Sequence, residues 1–323
     1  KGINLKGGGL SAPALTDVDR ENIKLAAELG IDFLAVSFVR TGADIDEARR
    51  LFEEAGGAGQ IVAKIERTEA VENIDSIIEA ADVIMVARGD LGVEMGYAGL
   101  TGIQKKLIRR TRRAHKIVIT ATQMMESMID NPIPTRAEVS DVANAVIDGT
   151  DAVMLSGETA VGNHPNKAIK AMAEVCIGAE EFQVPHRAAQ RSAELFDRVD
   201  EAIAMATMYT ANHLNVKAIV ALTESGSTAR WMSRVRSDIP IYALTPHEAT
   251  SRRVCLYRGV YPVEFEIDAS HASNLHKLYT DIFAVLLEDE AIKLGDLVIF
   301  TKGDFDGVSG STNAMKILEA TEA

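Results

Sequence analysis

Residues 1 to about 185 alternate between short apolar runs and longer charged segments, and this alternation restricts the fold more than any other feature of the sequence. The apolar runs lie at residues 33–38, 61–66, 83–90, 117–123 and 152–158. Strands that are apolar almost throughout and are separated by helices are typical of a parallel sheet covered on both faces. We therefore predict an α/β fold with about five strand–helix units in this part of the chain.

The segments between these runs have the periodicity and the end signals of helices. They lie at residues 44–56, 69–81, 101–116 and 135–149, and a closing helix is predicted at 166–181. Thr135 and Glu138 have the spacing of a capping box, in which each side chain bonds the backbone N–H of the other residue. Gly149 stands where a glycine commonly ends a helix.

A polar, aperiodic segment at residues 182–194 divides the chain. Beyond it the alternation resumes, with helical patterns at 200–214, 229–237, 248–259 and 274–291 and with apolar runs that begin at 218, 239, 260 and 296. We predict one domain at 1–187 and a second, smaller domain at 188–323, the latter an open α/β sandwich.

Each apolar run of the first domain ends in polar residues. The carboxyl ends of parallel strands meet at one edge of a sheet, so this repetition favours a functional site over ordinary loops. Within 61–66, Lys64 and Glu66 lie two positions apart, and strand side chains at that spacing point to the same side. An exposed ion pair at a strand edge is one interpretation. Inside a site, the two charges suit one anionic substrate and one metal ion.

The next apolar run supplies a second carboxylate, Asp90, preceded by Gly89, which lets a ligand approach the backbone closely. Two carboxylates with open coordination positions suit Mg²⁺ or Mn²⁺. Lys64 beside such a metal would neutralise charge on a phosphoryl group during transfer. These residue types predict phosphoryl-transfer chemistry.

Hydroxyl groups stand at the ends of three other runs, at Ser37, Thr122 and Ser156. Thr122 is a candidate for binding a carboxylate or relaying a proton, and the two serines are candidates for contacting a phosphate. For each of them the alternative is a loop hydroxyl that bonds only its own backbone surroundings.

A second candidate site lies in residues 222–231, between a strand and a helix of the second domain. Backbone N–H groups and hydroxyls at a helix start suit a phosphate group, and an ordinary N-cap with a glycine turn is the alternative. The candidate residues are Thr223, Ser225, Gly226, Ser227 and Thr228.

The composition excludes several classes of function. The net charge of −13 argues against general nucleic-acid binding. The sequence contains no run of about 18 apolar residues, so we predict no membrane-spanning helix. The basic run at 105–116 contains Leu107 and Ile108 at positions expected for a helix packed on a sheet. With only Cys176 and Cys255, far apart in the sequence, we expect no disulfide and a cytoplasmic protein.

The motifs AVSFVR, AKIER, VARGDLGVE, TATQMMESM, PTRAEVSDVANAV and DAVMLSGETA, in this order, resemble those of pyruvate kinases. The similarity covers nearly the whole chain and is closest to bacterial enzymes activated by AMP and sugar monophosphates. It implies that residues 1–187 are the C-terminal part of a (β/α)₈ TIM barrel. Residues 1–17 resemble the segment at which the family's chain returns from its lid domain, so we expect a fragment without the N-terminal barrel strands and the lid.

The resemblance implies transfer of a phosphoryl group from phosphoenolpyruvate to ADP, giving pyruvate and ATP in glycolysis. Lys64 corresponds to the lysine that stabilises the transferring phosphoryl group, and Glu66 and Asp90 to the ligands of Mg²⁺ or Mn²⁺. Gly89, Asp90 and Thr122 correspond to residues that bind phosphoenolpyruvate or pyruvate.

Ser37 corresponds to a phosphate contact, and Ser156 and Thr122 lie where a water relay to the enolate is organised. The resemblance further implies K⁺, whose ligands are absent from this chain. It also implies a homotetramer and a sugar-phosphate or AMP effector held between 222–231 and 302–313. Residues 94–104 depart from the family pattern in a loop beside the substrate site. A lyase or aldolase that binds pyruvate through Mg²⁺ and a non-catalytic remnant remain open alternatives, as do the effector's identity and the fragment's activity.

Overall fold

The computed structural model describes residues 13–181, 196–235, 237–268, 270–271, 274–303 and 310–321. The chain divides into two compact units, Lys1–Gln183 and Val184–Ala323. The opening residues 1–12 and the dividing segment 182–194 lie outside the described residues, as do positions 304–309 of the predicted 302–313 loop. Each unit has its own sheet and its own core.

The first unit is built on a five-stranded sheet in which the strands follow one another in chain order. The strands are β1 (Phe33–Val36), β2 (Gln60–Ile65), β3 (Val83–Ala87), β4 (Ile117–Ala121) and β5 (Ala152–Met154). Every neighbouring pair is parallel. This confirms the predicted α/β fold. The order runs without the reversal that marks a doubly wound sheet, and it therefore matches part of a barrel wall.

Helices connect these strands. They are α1 (Asp17–Glu28), α2 (Gly42–Glu54), α3 (Thr68–Glu72), α4 (Ile74–Ala80), α5 (Arg88–Met95), α6 (Tyr97–Arg113), α7 (Arg136–Asp148), α8 (Gly157–Ala160) and α9 (Pro165–Glu181), with a 3-10 helix at Glu126–Ile129. The sequence misses α1 and treats 69–81 as a single helix, which the structure breaks at Asn73. The predicted loop at 94–104 is wrong: these residues are helical except at Gly96, whose φ of 85° separates α5 from α6. Residues 101–104 are helical, as the pattern at 101–116 predicts.

The core of the first unit lies between the sheet and its helices. Ile65 and Ile84 from the strands are fully buried, as are Leu107 and Ile108 from α6. The basic helix therefore packs on the sheet, as its apolar positions predict. Its cationic side chains lie on the outer side, where Arg110 pairs with Asp75.

The second unit has a five-stranded sheet in the order β10-β9-β6-β7-β8. Its strands are β6 (Val216–Leu222), β7 (Ile241–Thr245), β8 (Val260–Glu264), β9 (Leu297–Gly303) and β10 (Thr312–Glu319), and its helices include α10 (Val199–His213), α11 (Ser227–Ser233), α12 (Glu248–Val254) and α13 (Leu275–Glu288). The predicted α/β character of this unit is confirmed. The sequence misses β10, which pairs with β9 in the antiparallel sense.

In the described ranges, no helix is both long and apolar enough to traverse a bilayer. Among the described residues, no disulfide joins Cys176 and Cys255.

The capping box predicted at α7 is present and has an additional partner. The N–H of Thr135 donates to Glu138 Oε2 at 2.8 Å, and the N–H of Glu138 donates to Thr135 Oγ1 at 3.3 Å. The N–H and hydroxyl of Ser127 also donate to this carboxylate, at 2.7 and 2.6 Å. Burial opposes ionisation, but the hydrogen bonds from Ser127 and Thr135 outweigh it and lower the pKa of Glu138 below 4.5.

A group whose pKa is lowered by folding stabilises the protein above its unfolded pKa, and this contribution is lost as the pH falls through the folded value. We therefore expect Glu138→Gln to lower the free energy of unfolding by about 1–2 kcal/mol near neutral pH. The difference in the free energy of unfolding between the variant and wild type should become smaller as the pH falls below 4.5, the ordinary pKa of a glutamate. Urea unfolding of both proteins across this pH range measures it.

Glu54→Gln is the control, because Glu54 is 59% exposed and pairs, among the described residues, with Arg50 of the same helix. Such surface pairs contribute little to stability. A deficit for Glu138→Gln that stays constant as the pH is lowered would contradict the assignment of the effect to an ionised cap.

Candidate active site

Lys64 and Glu66 form an ion pair at the carboxyl end of β2. The ammonium nitrogen lies 2.7 Å from Glu66 Oε1, and the two side chains are 25% and 2% exposed. The prediction that both side chains point to the same side of the sheet is confirmed. The ion pair considered as an alternative also forms, but it is largely buried rather than exposed at an edge.

The end of β1 completes the surroundings of this pair. Lys64 Nζ donates to Ser37 Oγ at 2.7 Å, and the N–H of Phe38 donates to Glu66 Oε2 at 2.7 Å. Phe38 adopts a left-handed backbone, with φ of 55°, which aims its N–H at the carboxylate. Each Glu66 oxygen thus has one of these partners, and a carboxylate oxygen can accept a second.

Asp90 lies half-buried in the first turn of α5, three residues beyond the end of β3. Strands β2 and β3 are parallel neighbours, with Ile65 opposite Val86. Glu66 and Asp90 therefore follow the same edge of the sheet. Within the described part of the chain, no group of three or more His, Cys, Asp or Glu side chains is arranged to hold a metal.

Gly89 and Thr122 are in direct contact. The N–H of Gly89 donates to Thr122 Oγ1 at 2.8 Å, and the Thr122 hydroxyl donates to the carbonyl of Ala121 at 2.6 Å. A Cβ built on Gly89 would come no nearer than 3.7 Å to the side chain of Thr122. This is an ordinary van der Waals contact, so a side chain at this position would lie against Thr122.

Ser156 follows β5 and is held by a residue that the sequence analysis did not select. Glu158 is 2% exposed. Its Oε2 accepts from the N–H of Ser156 at 2.8 Å and its Oε1 from the N–H of Met125 at 3.0 Å. Glu158 thus ties the Ser156 loop to the segment after β4. The sequence signal for Glu158 was its position at the end of an apolar run, two residues after the candidate Ser156.

Arg88 is the second residue that the sequence analysis missed. It lies between the last residue of β3 and Gly89 and is only 5% exposed. Its guanidinium bonds backbone carbonyls at the end of β4. The sequence signal for Arg88 was an arginine directly after an apolar strand. A guanidinium buried there requires several hydrogen-bond acceptors from neighbouring segments.

In the second unit, Thr223 and Gly226 form a tight turn before α11. Thr223 Oγ1 accepts from the N–H of Gly226 at 2.9 Å, and Gly226 is left-handed with φ of 79°. The hydroxyl of Thr228 is 2.6 Å from that of Thr312 and is buried. The turn therefore brings the candidate residues together, and the Thr228 hydroxyl bonds the start of β10.

The sequence matches the family descriptions "Pyruvate kinase, barrel domain" over residues 1–169 and "Pyruvate kinase, alpha/beta domain" over residues 201–318. It is 55% identical to pyruvate kinase II of Salmonella typhimurium over 98% of this chain and 66% of that protein. It is 52% identical to a pyruvate kinase of Haemophilus influenzae, over 94% and 63% of the two chains. For a pyruvate kinase of Geobacillus stearothermophilus, the identity is 45% over 98% and 54%.

The chain thus spans 66% or less of the length of these curated relatives. The matches to both domain descriptions agree with the two units of the structure, and their order along the chain is the same. The chain belongs to the pyruvate kinase family.

Proposed function

We propose that this chain carries the phosphoenolpyruvate site of a pyruvate kinase, which transfers a phosphoryl group to ADP in glycolysis. The observation that carries the proposal is the buried Lys64–Glu66 pair with Ser37 at the carboxyl ends of β1 and β2. A largely buried ammonium and carboxylate are costly to retain, which favours a role in binding charged ligands. The relatives of the same name, 45–55% identical, support the same reaction.

In this proposal the Lys64 ammonium stabilises the charge on the phosphoryl group during transfer. Ser37, which accepts a hydrogen bond from Lys64, lies beside it and contacts the phosphate. Gly89 has no side chain, so a ligand can approach its backbone closely, and Thr122 orients the carboxylate of phosphoenolpyruvate. Ser156, held by Glu158, organises the water that delivers a proton to the enolate.

Glu66 and Asp90 fit Mg²⁺ or Mn²⁺, because their carboxylate oxygens are the hard donors that these ions prefer. The Phe38 N–H orients the Glu66 carboxylate and leaves acceptor capacity on both oxygens. When bound, the ion would supply positive charge beside the phosphoryl oxygens.

We also propose that the 222–231 loop binds the phosphate of a sugar-phosphate or AMP effector, that the protein is cytoplasmic, and that it acts as a homotetramer with K⁺ as a further cofactor. The turn at Gly226 supports the effector site. A Cβ at Gly226 would come within 2.6 Å of Val254 Cγ1, so any other residue would need both a rarely adopted backbone and a shift of Val254.

The experiment is titration calorimetry of the chain with phosphoenolpyruvate, with and without Mg²⁺, followed by an ADP-to-ATP assay with K⁺. We expect binding that depends on Mg²⁺, with a dissociation constant of about 1 mM or tighter, comparable to substrate affinities of other enzymes. No binding at millimolar phosphoenolpyruvate would overturn the proposal in favour of a non-catalytic remnant. Consumption of phosphoenolpyruvate or pyruvate without ATP formation would favour a lyase or aldolase.

A further inference from the structure

The guanidinium of Arg88 donates hydrogen bonds to carbonyl groups at the end of β4 and just beyond it. Its Nη2 donates to the carbonyls of Thr122 at 2.8 Å and Gln123 at 3.2 Å, and its Nε donates to Thr122 at 3.2 Å. A further Nε contact reaches the carbonyl of Ala121 at 3.4 Å. One buried cation therefore satisfies acceptors from three successive residues, which are the last residue of β4 and the two that follow it.

The two residues of this turn are strained. Thr122 and Gln123 have φ of 67° and 54°, the left-handed region that non-glycine residues rarely adopt. It costs roughly 1–2 kcal/mol per residue, and a β-branched threonine is especially unfavourable there. Such a conformation persists only when its surroundings hold it. Contacts from outside the turn must therefore hold residues 122 and 123 in this conformation.

Asp141 of α7 fixes the guanidinium from the other side. Arg88 Nη1 donates to Asp141 Oδ2 at 2.5 Å, and the carboxylate is 40% exposed. Both residues border a cavity of about 520 Å³ that Gln104 and Gln123 also line. A planar guanidinium can bond Asp141 and the carbonyls at once, whereas a lysine ammonium at this position would reach fewer of them.

We propose that Arg88 is a positioning residue: it holds the 122–123 turn in its left-handed conformation and thereby keeps the Thr122 hydroxyl on the N–H of Gly89. The effect of Arg88 on the 122–123 turn follows from its hydrogen bonds and does not depend on the reaction. Its consequence for phosphoenolpyruvate rests on the proposed function, because it acts through Thr122. The turn is rigid because Arg88 crosses between β3 and β4 and is anchored on α7.

The first test is amide hydrogen exchange of the full chain, which requires no turnover. In Arg88→Lys, we expect exchange of the Gly89 amide to rise by about tenfold or more, while amides in β2 change little. Arg49→Lys is the matched control: Arg49 also bonds a carbonyl, of Ala80 at 2.9 Å, and a carboxylate, of Asp82 at 2.8 Å. It should leave Gly89 unchanged.

Unchanged exchange at Gly89 in folded Arg88→Lys would overturn the proposal, as would an equal rise throughout the sheet. If Arg88→Lys does not fold, Asp141→Asn decides. This variant removes the charge of the half-exposed anchor and keeps the arginine. A rise confined to Gly89 and the 122–123 turn supports the proposal, and no rise contradicts it.

The second test is a double-mutant cycle on kcat/KM for phosphoenolpyruvate, with Arg88→Lys and Thr122→Ala. Because Arg88 acts through Thr122, the double variant should have about the same kcat/KM as the single Thr122→Ala variant. Independent effects would multiply instead and would contradict the mechanism. Failure of wild type to bind phosphoenolpyruvate with Mg²⁺ would overturn the proposed function, while the exchange result at Gly89 would still decide the role of Arg88.

Discussion

Lys64→Met is expected to lower kcat/KM for phosphoenolpyruvate by about a thousandfold, the upper range for removing one preorganised electrostatic group from a transition state. The Lys64 ammonium lies 2.7 Å from both Ser37 Oγ and Glu66 Oε1, so methionine removes the cation from the centre of the proposed site. The ADP-to-ATP assay measures turnover, and calorimetry measures phosphoenolpyruvate affinity separately.

The same variant should also destabilise the first unit. Methionine leaves the carboxylate of Glu66, only 2% exposed, without its cation. Removal of one member of a buried pair costs about 3–5 kcal/mol, and we expect a value near the low end because Lys64 is 25% exposed. Denaturant unfolding measures this loss in the absence of any substrate.

Two controls separate catalysis from stability. The double variant Lys64→Met with Glu66→Gln should regain most of the stability, because a neutral amide needs no cation, but it should regain no turnover. Lys24→Met should change neither property, since Lys24 is 60% exposed and its ion pair within the described part of the chain is with Glu21 on the surface. Turnover near the wild-type level in Lys64→Met would refute the proposed role.

Phe300→Ala is expected to lower the stability of the second unit by about 3–5 kcal/mol, the typical cost of removing a buried phenylalanine. Phe300 is 1% exposed in the middle of β9. Its ring meets Tyr279 edge-on at 4.9 Å between centroids, and Phe283 at 5.3 Å. Alanine therefore removes both aromatic contacts and leaves a cavity between the sheet and α13.

Hydrogen exchange resolved along the sequence measures the effect. Amides of β6 and β9 should lose protection, whereas those of β2, β3 and β4 should keep it, because each unit has its own apolar cluster. Phe196→Ala is the matched control in the same unit, since Phe196 is 44% exposed. Equal losses in Phe196→Ala and Phe300→Ala would show that the aromatic cluster does not stabilise the unit.

The sequence predicted those parts of the fold that depend on local spacing. The five parallel strands follow from apolar runs alternating with helical patterns. The capping box at Thr135 requires only two residues three positions apart. The shared side of Lys64 and Glu66 follows from the two-residue period of a strand. In each case the backbone geometry of a single element fixes the relation.

Residues that act across the sheet were predicted less well. Arg88 and Glu158 stood inside motifs that were recognised, yet neither was selected, because each bonds backbone groups 33 or more residues away. Strand β10 was missed for a related reason. Its burial is irregular, and its place is fixed by antiparallel pairing with β9 rather than by its own apolar pattern.

The sequence by itself determined the order of strands and helices, the identity of the candidate charged and hydroxyl groups, and the family. Only the tertiary structure decided that Glu66 is held by the N–H of Phe38, 28 residues earlier, and that a buried arginine supports the strained turn at Thr122. The physical reason is that side-chain periodicity is a property of one strand or helix. The partners of a buried charge come from neighbouring strands, and these meet only when the sheet has formed.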